Sequence, residues 1–385
     1  MNALAFVLIG LCTSWIVLGV VAVLRVTAGT RRARGRPSLP PPNAPGVSVL
    51  KPLCGADPGL RDNLETFFTQ DYGNYEVIFG VEREDDPAVV VAREVMAKHA
   101  SVPATLVIHR GSDCVNPKVS NLLGMLPFAK HDLLLISDSN VRAPAGYVGE
   151  MVATMVERPD TGLVTSLFAG TGENGLGSAL ENAQLNGFCA AGAALPTLLG
   201  DALVVGKSMM MSRGTFDKLG GFDRVKNVLA EDFVIGKMFQ HAKLRVRIAP
   251  TVLENVTRGT SVRAFLRRQL RWGMLRARLR PAAQLAEAVT SPLAMLPFAW
   301  MLMGPAALTW LLVLWVLRDV GGWIALRGFR RAWVPLALAP LRELSMLVVW
   351  LRAPLKRHVL WRGHRVRLSA GTLVYAPVDA SAKGA

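Results

Sequence analysis

The chain has 385 residues, of which 51% are hydrophobic, and its mean hydropathy of +0.32 is high for a soluble enzyme. Charged residues still make up 19%, too many for a protein embedded throughout in a membrane, so a water-facing domain joined to membrane segments is expected. The net charge of +16 suits nucleic acid, an anionic membrane surface or a phosphorylated substrate, but much of it flanks apolar runs, and zinc-finger spacings and RNA-binding aromatic motifs are missing, which argues against nucleic acid.

Residues 1–26 read as a transmembrane anchor, because the apolar run from Ala3 to Leu24 is long enough to cross a bilayer. Arg25 and the basic cluster at 31–36 follow it, which places the bulk of the chain in the cytoplasm. A cleaved signal peptide would carry its charges before the apolar run, not after it. Residues 27–45 form a basic, Pro-rich linker, stiffest at 37–42.

From 46 to 282 strand-like and helix-like stretches alternate. Strands are expected at Val47–Leu50, Tyr75–Val81, Ala104–His109 and Leu133–Ser137, with helices at Leu60–Phe68, Pro87–Lys98 and Pro117–Ala129. A further strand is expected from Ala202 to Met209. This alternation implies an α/β fold with a mostly parallel sheet, whose ligands bind beyond the carboxyl ends of the strands.

Residues 283–352 read as membrane segments. Leu285 to Val316 contains Pro292, Pro297 and Pro305, so it makes either one kinked span with an interfacial piece or two spans. Trp333 to Leu351 is a further apolar run interrupted by Arg342-Glu343, a pair that is costly at that depth unless partnered or functional. Residues 353–385 form a basic segment ending in a tail from Val374. Cys12, Cys54, Cys114 and Cys189 have neither metal-site nor disulfide-framework spacing, so reduced thiols are expected.

Four polar clusters could carry chemistry: Glu84-Asp85-Asp86 after the second strand, Asp138-Ser139-Asn140 after the fourth, Glu231-Asp232 after the turn at 219–222, and Arg268-Gln269-Leu270-Arg271-Trp272 on a basic helix. Sugar transfer from a nucleotide sugar needs such a set. The diphosphate leaving group must be neutralised by a metal or by basic side chains, and the acceptor hydroxyl needs a general base. Asp86 would suit the nucleoside, Asp138 a metal, Asp232 the base and Arg271 the diphosphate. Each cluster also has a local reading: Asp86-Pro87 as a helix N-cap, Asp138-Ser139 as a turn, Glu231-Asp232 as a helix start, and the basic helix as a membrane-surface face.

In their order these residues resemble the ceramide glucosyltransferase family, over about Val47 to Leu368. The resemblance is carried by Leu50-Lys51-Pro52-Leu53, residues 63–68, Asp85-Asp86-Pro87-Ala88, Asn116-Pro117-Lys118 with Asn121-Leu122, Asp138-Ser139, Glu231-Asp232, Arg268-x-x-Arg271-Trp272, Arg342-Glu343-x-Ser345 and Trp361-Arg362-x-x-Arg365. It implies an inverting hexosyltransferase of GT-A fold, with membrane helices at both ends of the catalytic domain and a divalent cation (Mg2+ or Mn2+) as cofactor. The implied partners are a UDP-sugar donor, a lipid acceptor and the membrane.

By the resemblance, Asp86 lies near the nucleoside, Asp138 near the diphosphate and the metal, and Lys118 near the donor, with Glu231 binding substrate beside the base Asp232. Arg268, Arg271 and Trp272 close on the diphosphate and the acceptor, and the stretch Cys189–Leu198 contacts the acceptor. The chain departs from the family in reading Asp-Ser-Asn where a second carboxylate is usual, and in starting its signature with Arg268 in place of Gln. The leading expectation is glucose transfer from UDP-glucose to ceramide on the cytoplasmic face, and the alternative is transfer of N-acetylglucosamine to a hopanoid polyol. A processive polysaccharide synthase would need more than two to four spans, and a non-enzymatic membrane protein leaves the ordered acidic motifs unexplained.

Overall fold

The computed structural model describes residues 2–33, 44–109, 114–200, 202–356, 358–361 and 364–367. Arg34 and Arg36 of the basic cluster, the spacer 37–42, Arg362 and the tail from Val374 lie outside the described residues.

One sheet is built from β1 (Val47–Pro52), β2 (Tyr75–Val81), β3 (Ala104–Ile108), β4 (Leu133–Ser137), β5 (Val141–Arg142), β6 (Thr161–Thr171), β7 (Ser208–Ser212) and β8 (Arg245–Val256), in the order β3-β2-β1-β4-β7-β6-β8-β5. Strands β1 to β4 pair in parallel, as do β6 and β8, whereas β7 runs antiparallel to both β4 and β6. The expected α/β architecture with a mostly parallel sheet is therefore present.

Alternation along the strands supplies both faces of the core. Leu50, Ile136, Met209 and Met211 pack on one face with Leu122, Phe216 and Phe239, and Val49, Val77, Leu135 and Met210 pack on the other with Val95, Tyr147 and Met151. Two crossover helices begin on side-chain caps with proline in the first turn, a favoured helix start. Asp86 accepts from Ala88 N ahead of Pro87–Lys98, and Asn116 accepts from Lys118 N and Val119 N ahead of Pro117–Met125.

The strand expected from Ala202 to Met209 begins only at Ser208, and 206–207 form a turn. The reason is local: Gly206 N donates to Asp232 Oδ2 and Gly206 O accepts from Lys118 Nζ, so these backbone groups bond side chains instead of a ladder.

Among the described residues, three helices are long and apolar enough to cross a membrane: Asn2–Ala28, Ala306–Arg327 and Val334–Arg352. A fourth is counted if Pro281–Val289 and Pro292–Met303, bent by 51° at their junction, act as one broken span. The N-terminal helix packs through Cys12 and Ile16 on Met295 and Leu314, while Leu4, Phe6 and Leu11 on its outer side are exposed, as lipid-facing residues would be. It also touches the stretch Cys189–Leu198, through Ala22 and Val23 against Ala190, Ala193 and Ala194. Arg342 and Glu343 are buried and partnered, as their depth requires. The four cysteines are free thiols.

Candidate active site

The carboxyl ends of β1, β2 and β4 lie side by side, and the turn before β7 joins them because antiparallel pairing sets Ser208 opposite Ser137. Asp138, the residue after β4, thereby meets Lys207, the residue before β7.

Lys118 is the centre of the cluster. Its Nζ lies 2.9 Å from Asp138 Oδ1 and 3.1 Å from Glu231 Oε1, and donates to Gly206 O at 2.8 Å. Lys207 Nζ approaches Asp138 Oδ2 at 3.4 Å and donates to Asn140 Oδ1 at 3.0 Å. Lys51, fully buried, donates to Asp138 O at 2.7 Å and stacks 3.6 Å above the Phe67 ring. Glu231 also accepts from Asn116 Nδ2, and Asp232, first-turn neighbour of Glu231 in the helix Glu231–His241, accepts from Gly206 N at 2.9 Å and Phe233 N at 2.8 Å. The expected residues Lys118, Asp138, Glu231 and Asp232 are thus brought together from three separate segments.

Burial and charge set the protonation of this group. Burial would raise the Asp138 carboxyl, but Lys118 and Lys207 hold it well below the usual carboxylate range. Burial opposes the Lys118 ammonium, and Asp138, Glu231 and Asp232 outweigh it and push its pKa above the ordinary lysine value. Lys207 and Lys51 move the other way: burial lowers both, against the attraction of Asp138. Asp232 is raised to about 6, first by burial and then by the charge of Glu231, with Lys118 pulling it back. A buried carboxyl poised there can take up a proton near neutral pH.

Asp86 lies on the same sheet edge but bonds locally. Its carboxylate accepts from Gly55 N at 2.9 and 3.0 Å and caps the helix that follows, so it ties the loop after β1 to the end of β2. The N-cap reading of this residue is realised, at the carboxyl end of β2.

The basic signature lies on the helix Val262–Leu279, capped by Ser261. Arg268, Arg271 and Trp272 share one helical face, since residues three and four apart are neighbours. Arg268 Nη1 lies 3.1 Å from Glu181 Oε1 on the helix Leu176–Gln184. Glu181 is fully buried; burial raises its pKa, opposed by Arg268 and, more weakly, by Lys207 and Arg271. Arg268 of the signature thus pairs directly with a buried carboxylate, whose pKa Lys207 and Arg271 lower through their charge. Arg276 leads out of the site, in a bidentate pair with Glu287 at 2.8 and 2.9 Å.

Asp138, the residue expected at a metal, meets Lys118 through one oxygen and Lys207 through the other. Among the described residues no three His, Cys, Asp or Glu side chains come together as a metal cage. That donor set fits a cation held mostly by phosphate oxygens of a bound substrate, which is how Mg2+ is commonly held in phosphate-binding sites.

Three functional candidates were not legible in the sequence. Lys207 was hidden in a presumed strand and becomes visible only through the pairing of β4 with β7. Lys51 stood within a matched motif without a role. Glu181 stands in an unremarkable helix, and only the fold shows that it faces Arg268.

A family model described as glycosyl transferase family 21 matches residues 10–374. Ceramide glucosyltransferase 1 of Caenorhabditis elegans is 28% identical over 343 residues, covering 86% of this chain and 73% of the relative. Ceramide glucosyltransferase of Komagataella phaffii is 36% identical over 138 residues, covering 34% of this chain and 26% of the relative. Among solved structures, a mannosyltransferase from Pyrobaculum calidifontis in complex with GDP-Man and Mn2+ aligns with a TM-score of 0.48 at 17% identity, covering 91% of this chain and 98% of that one.

Proposed function

The chain belongs to glycosyl transferase family 21, and on that premise we propose that it transfers glucose from UDP-glucose to the primary hydroxyl of ceramide, with inversion, at the cytoplasmic face of a membrane that it crosses several times. The observation that carries this reading is Lys118, whose ammonium joins Asp138 at the end of β4 to Glu231 beside Asp232. A sugar donor whose diphosphate lay at Asp138 would present its anomeric carbon toward Asp232.

In this reading Asp232 is the general base. Its carboxylate takes the proton of the acceptor hydroxyl as that oxygen attacks the anomeric carbon from the side opposite the leaving group, so the new bond has inverted configuration. The bond from the anomeric carbon to the diphosphate oxygen breaks, and its electron pair leaves with UDP. Lys207, Arg271 and Arg268 offset the charge that develops there, preorganised by Asp138 and Glu181. Asp138 would hold a divalent cation together with the donor phosphates, and that cation supplies further charge neutralisation. Asp86 would receive the nucleoside, and Trp272 would pack beside the acceptor.

The test is to incubate the purified protein in nanodiscs with UDP-glucose and ceramide and identify the glycolipid by mass spectrometry. A parallel arm offers UDP-N-acetylglucosamine and a hopanoid polyol. Glucosylceramide as the dominant product supports the reading; product only in the second arm replaces donor and acceptor, and no product in either overturns the transferase assignment.

A further inference from the structure

A four-membered ionic network lies buried among the candidate spans. Arg318 makes a bidentate pair with Asp319 at 2.8 and 2.9 Å and reaches Glu343 Oε1 at 2.7 Å. Arg342 Nη2 donates to Asp319 at 2.9 Å and to Glu343 at 2.8 Å, while its Nη1 donates to Gln184 Oε1 at 3.3 Å. Ser291 donates to the second oxygen of Glu343.

This network forms one wall of a narrow, partly open pocket between the end of the helix Leu176–Gln184, the bend at 290–291 and the helix Val334–Arg352. Phe188, Met346, Leu347 and Trp350 give it an apolar side. Arg342 is 1% exposed, yet its Nε has no hydrogen-bond partner. A buried donor without an acceptor is costly, and one in a pocket wall is a place for a ligand's oxygen. The same helix turns Glu181 toward signature Arg268 and Gln184 toward Arg342, three residues apart, so the pocket lies about one helical turn from the signature.

We infer that this pocket is the acceptor subsite and that it takes the neutral, hydrogen-bonding head of a hydroxylated lipid, with Arg342 Nε as a donor to it and the apolar side receiving the start of the chain. The inference rests on the reading of the protein as a lipid glycosyltransferase. Charge selects the head. The two guanidinium groups are balanced by two carboxylates, and Glu287 at the rim is balanced by Arg276, so no cation is left over for a phosphate. Met346, flexible and unbranched, can yield as the ligand enters.

The test uses the full chain in nanodiscs with a diazirine-bearing ceramide, followed by peptide mapping after irradiation. Crosslinks are expected within 287–291 and 346–350, displaced by unlabelled ceramide at concentrations at least tenfold lower than by dodecyl phosphate. Ala288→Phe, which fills the pocket, is expected to raise the KM for ceramide tenfold or more while the Kd for UDP-glucose stays within twofold. Crosslinks confined to other segments, equal displacement by the phosphate, or an unchanged lipid KM in a folded Ala288→Phe protein each overturn the subsite while leaving sugar transfer intact. Absence of sugar transfer by the unmodified chain overturns the enzyme reading itself, and with it the acceptor role of the pocket.

Discussion

The ammonium of Lys118 lies 2.9 Å from Asp138 Oδ1 and on its other side 3.1 Å from Glu231, so one cation holds together carboxylates that are 93 residues apart in the chain. Replacing it with methionine leaves Asp138, Glu231 and Asp232 without their shared partner. Lys118→Met is expected to lower kcat/KM by at least about 100-fold, and to reduce thermal stability, since breaking a buried pair from one side is strongly destabilising. Lys118 also draws the Asp232 pKa down, so any residual activity of the variant should show its acid limb at higher pH. Activity and thermal melts near wild-type values would remove Lys118 from the centre of the site.

The protonation of Asp232 sets a pH profile. As a general base it must be ionised, and its pKa is raised to about 6, so kcat/KM should rise with pH through about 6 and level off above 7. The stability sign is opposite: a carboxyl with a raised folded pKa loses stabilisation as pH increases from its unfolded value to about 6. Asp232→Asn should therefore be at least as stable as the natural protein at neutral pH while losing the acid limb. A rate that is flat from pH 5 to 8 would speak against this base.

A methyl group at Gly206 would lie 2.5 Å from Asp232 Oδ2, and the backbone N–H of Gly206 holds that same oxygen. Gly206→Ala is accordingly expected to displace Asp232 and lower kcat tenfold or more, with little change in the Kd for the donor. Equal losses in both quantities would mean that Gly206 serves the donor site.

Lys207 bonds Asp138 and Asn140 where the diphosphate would lie. Lys207→Ala should weaken UDP-glucose binding roughly tenfold, Lys207→Arg should recover part of that loss, and added salt should narrow the difference between them. Isothermal titration with the donor reads this directly.

Because both oxygens of Asp138 already meet ammonium groups and no cage of three His, Cys, Asp or Glu side chains forms among the described residues, metal binding should depend on the nucleotide. Titration with Mn2+ alone should give no heat of tight binding, whereas Mn2+ with UDP present should bind, and EDTA should abolish a turnover that Mg2+ or Mn2+ restores. Tight binding without nucleotide would point to a protein metal cage.

Much of the scaffold was legible locally. The strand Tyr75–Val81 and the helix Pro87–Lys98 match their expected limits because an apolar run and an Asp-Pro start are short-range signals. The strands β6 and β8 were not legible, since both carry polar residues among the apolar ones and pair with shifted register. Asp138, Glu231 and Asp232 could be singled out in order, but their meeting at Lys118 depends on the sheet. Lys207 depends on the antiparallel pairing of β7, which no local pattern announces. The need of Arg342-Glu343 for partners was legible from depth alone. Their partners, Arg318 and Asp319, follow only from how the spans pack.

The most direct test compares the natural chain with Asp232→Asn in the same nanodiscs, with UDP-glucose and ceramide, and measures the glycolipid formed and its anomeric configuration by NMR. The natural chain should form the β-linked product from the α-linked donor, and the variant, binding UDP-glucose with unchanged affinity, should form it roughly 10²–10⁴-fold more slowly. An α-linked product, or equal rates from the two proteins, would contradict inverting transfer with Asp232 as the base.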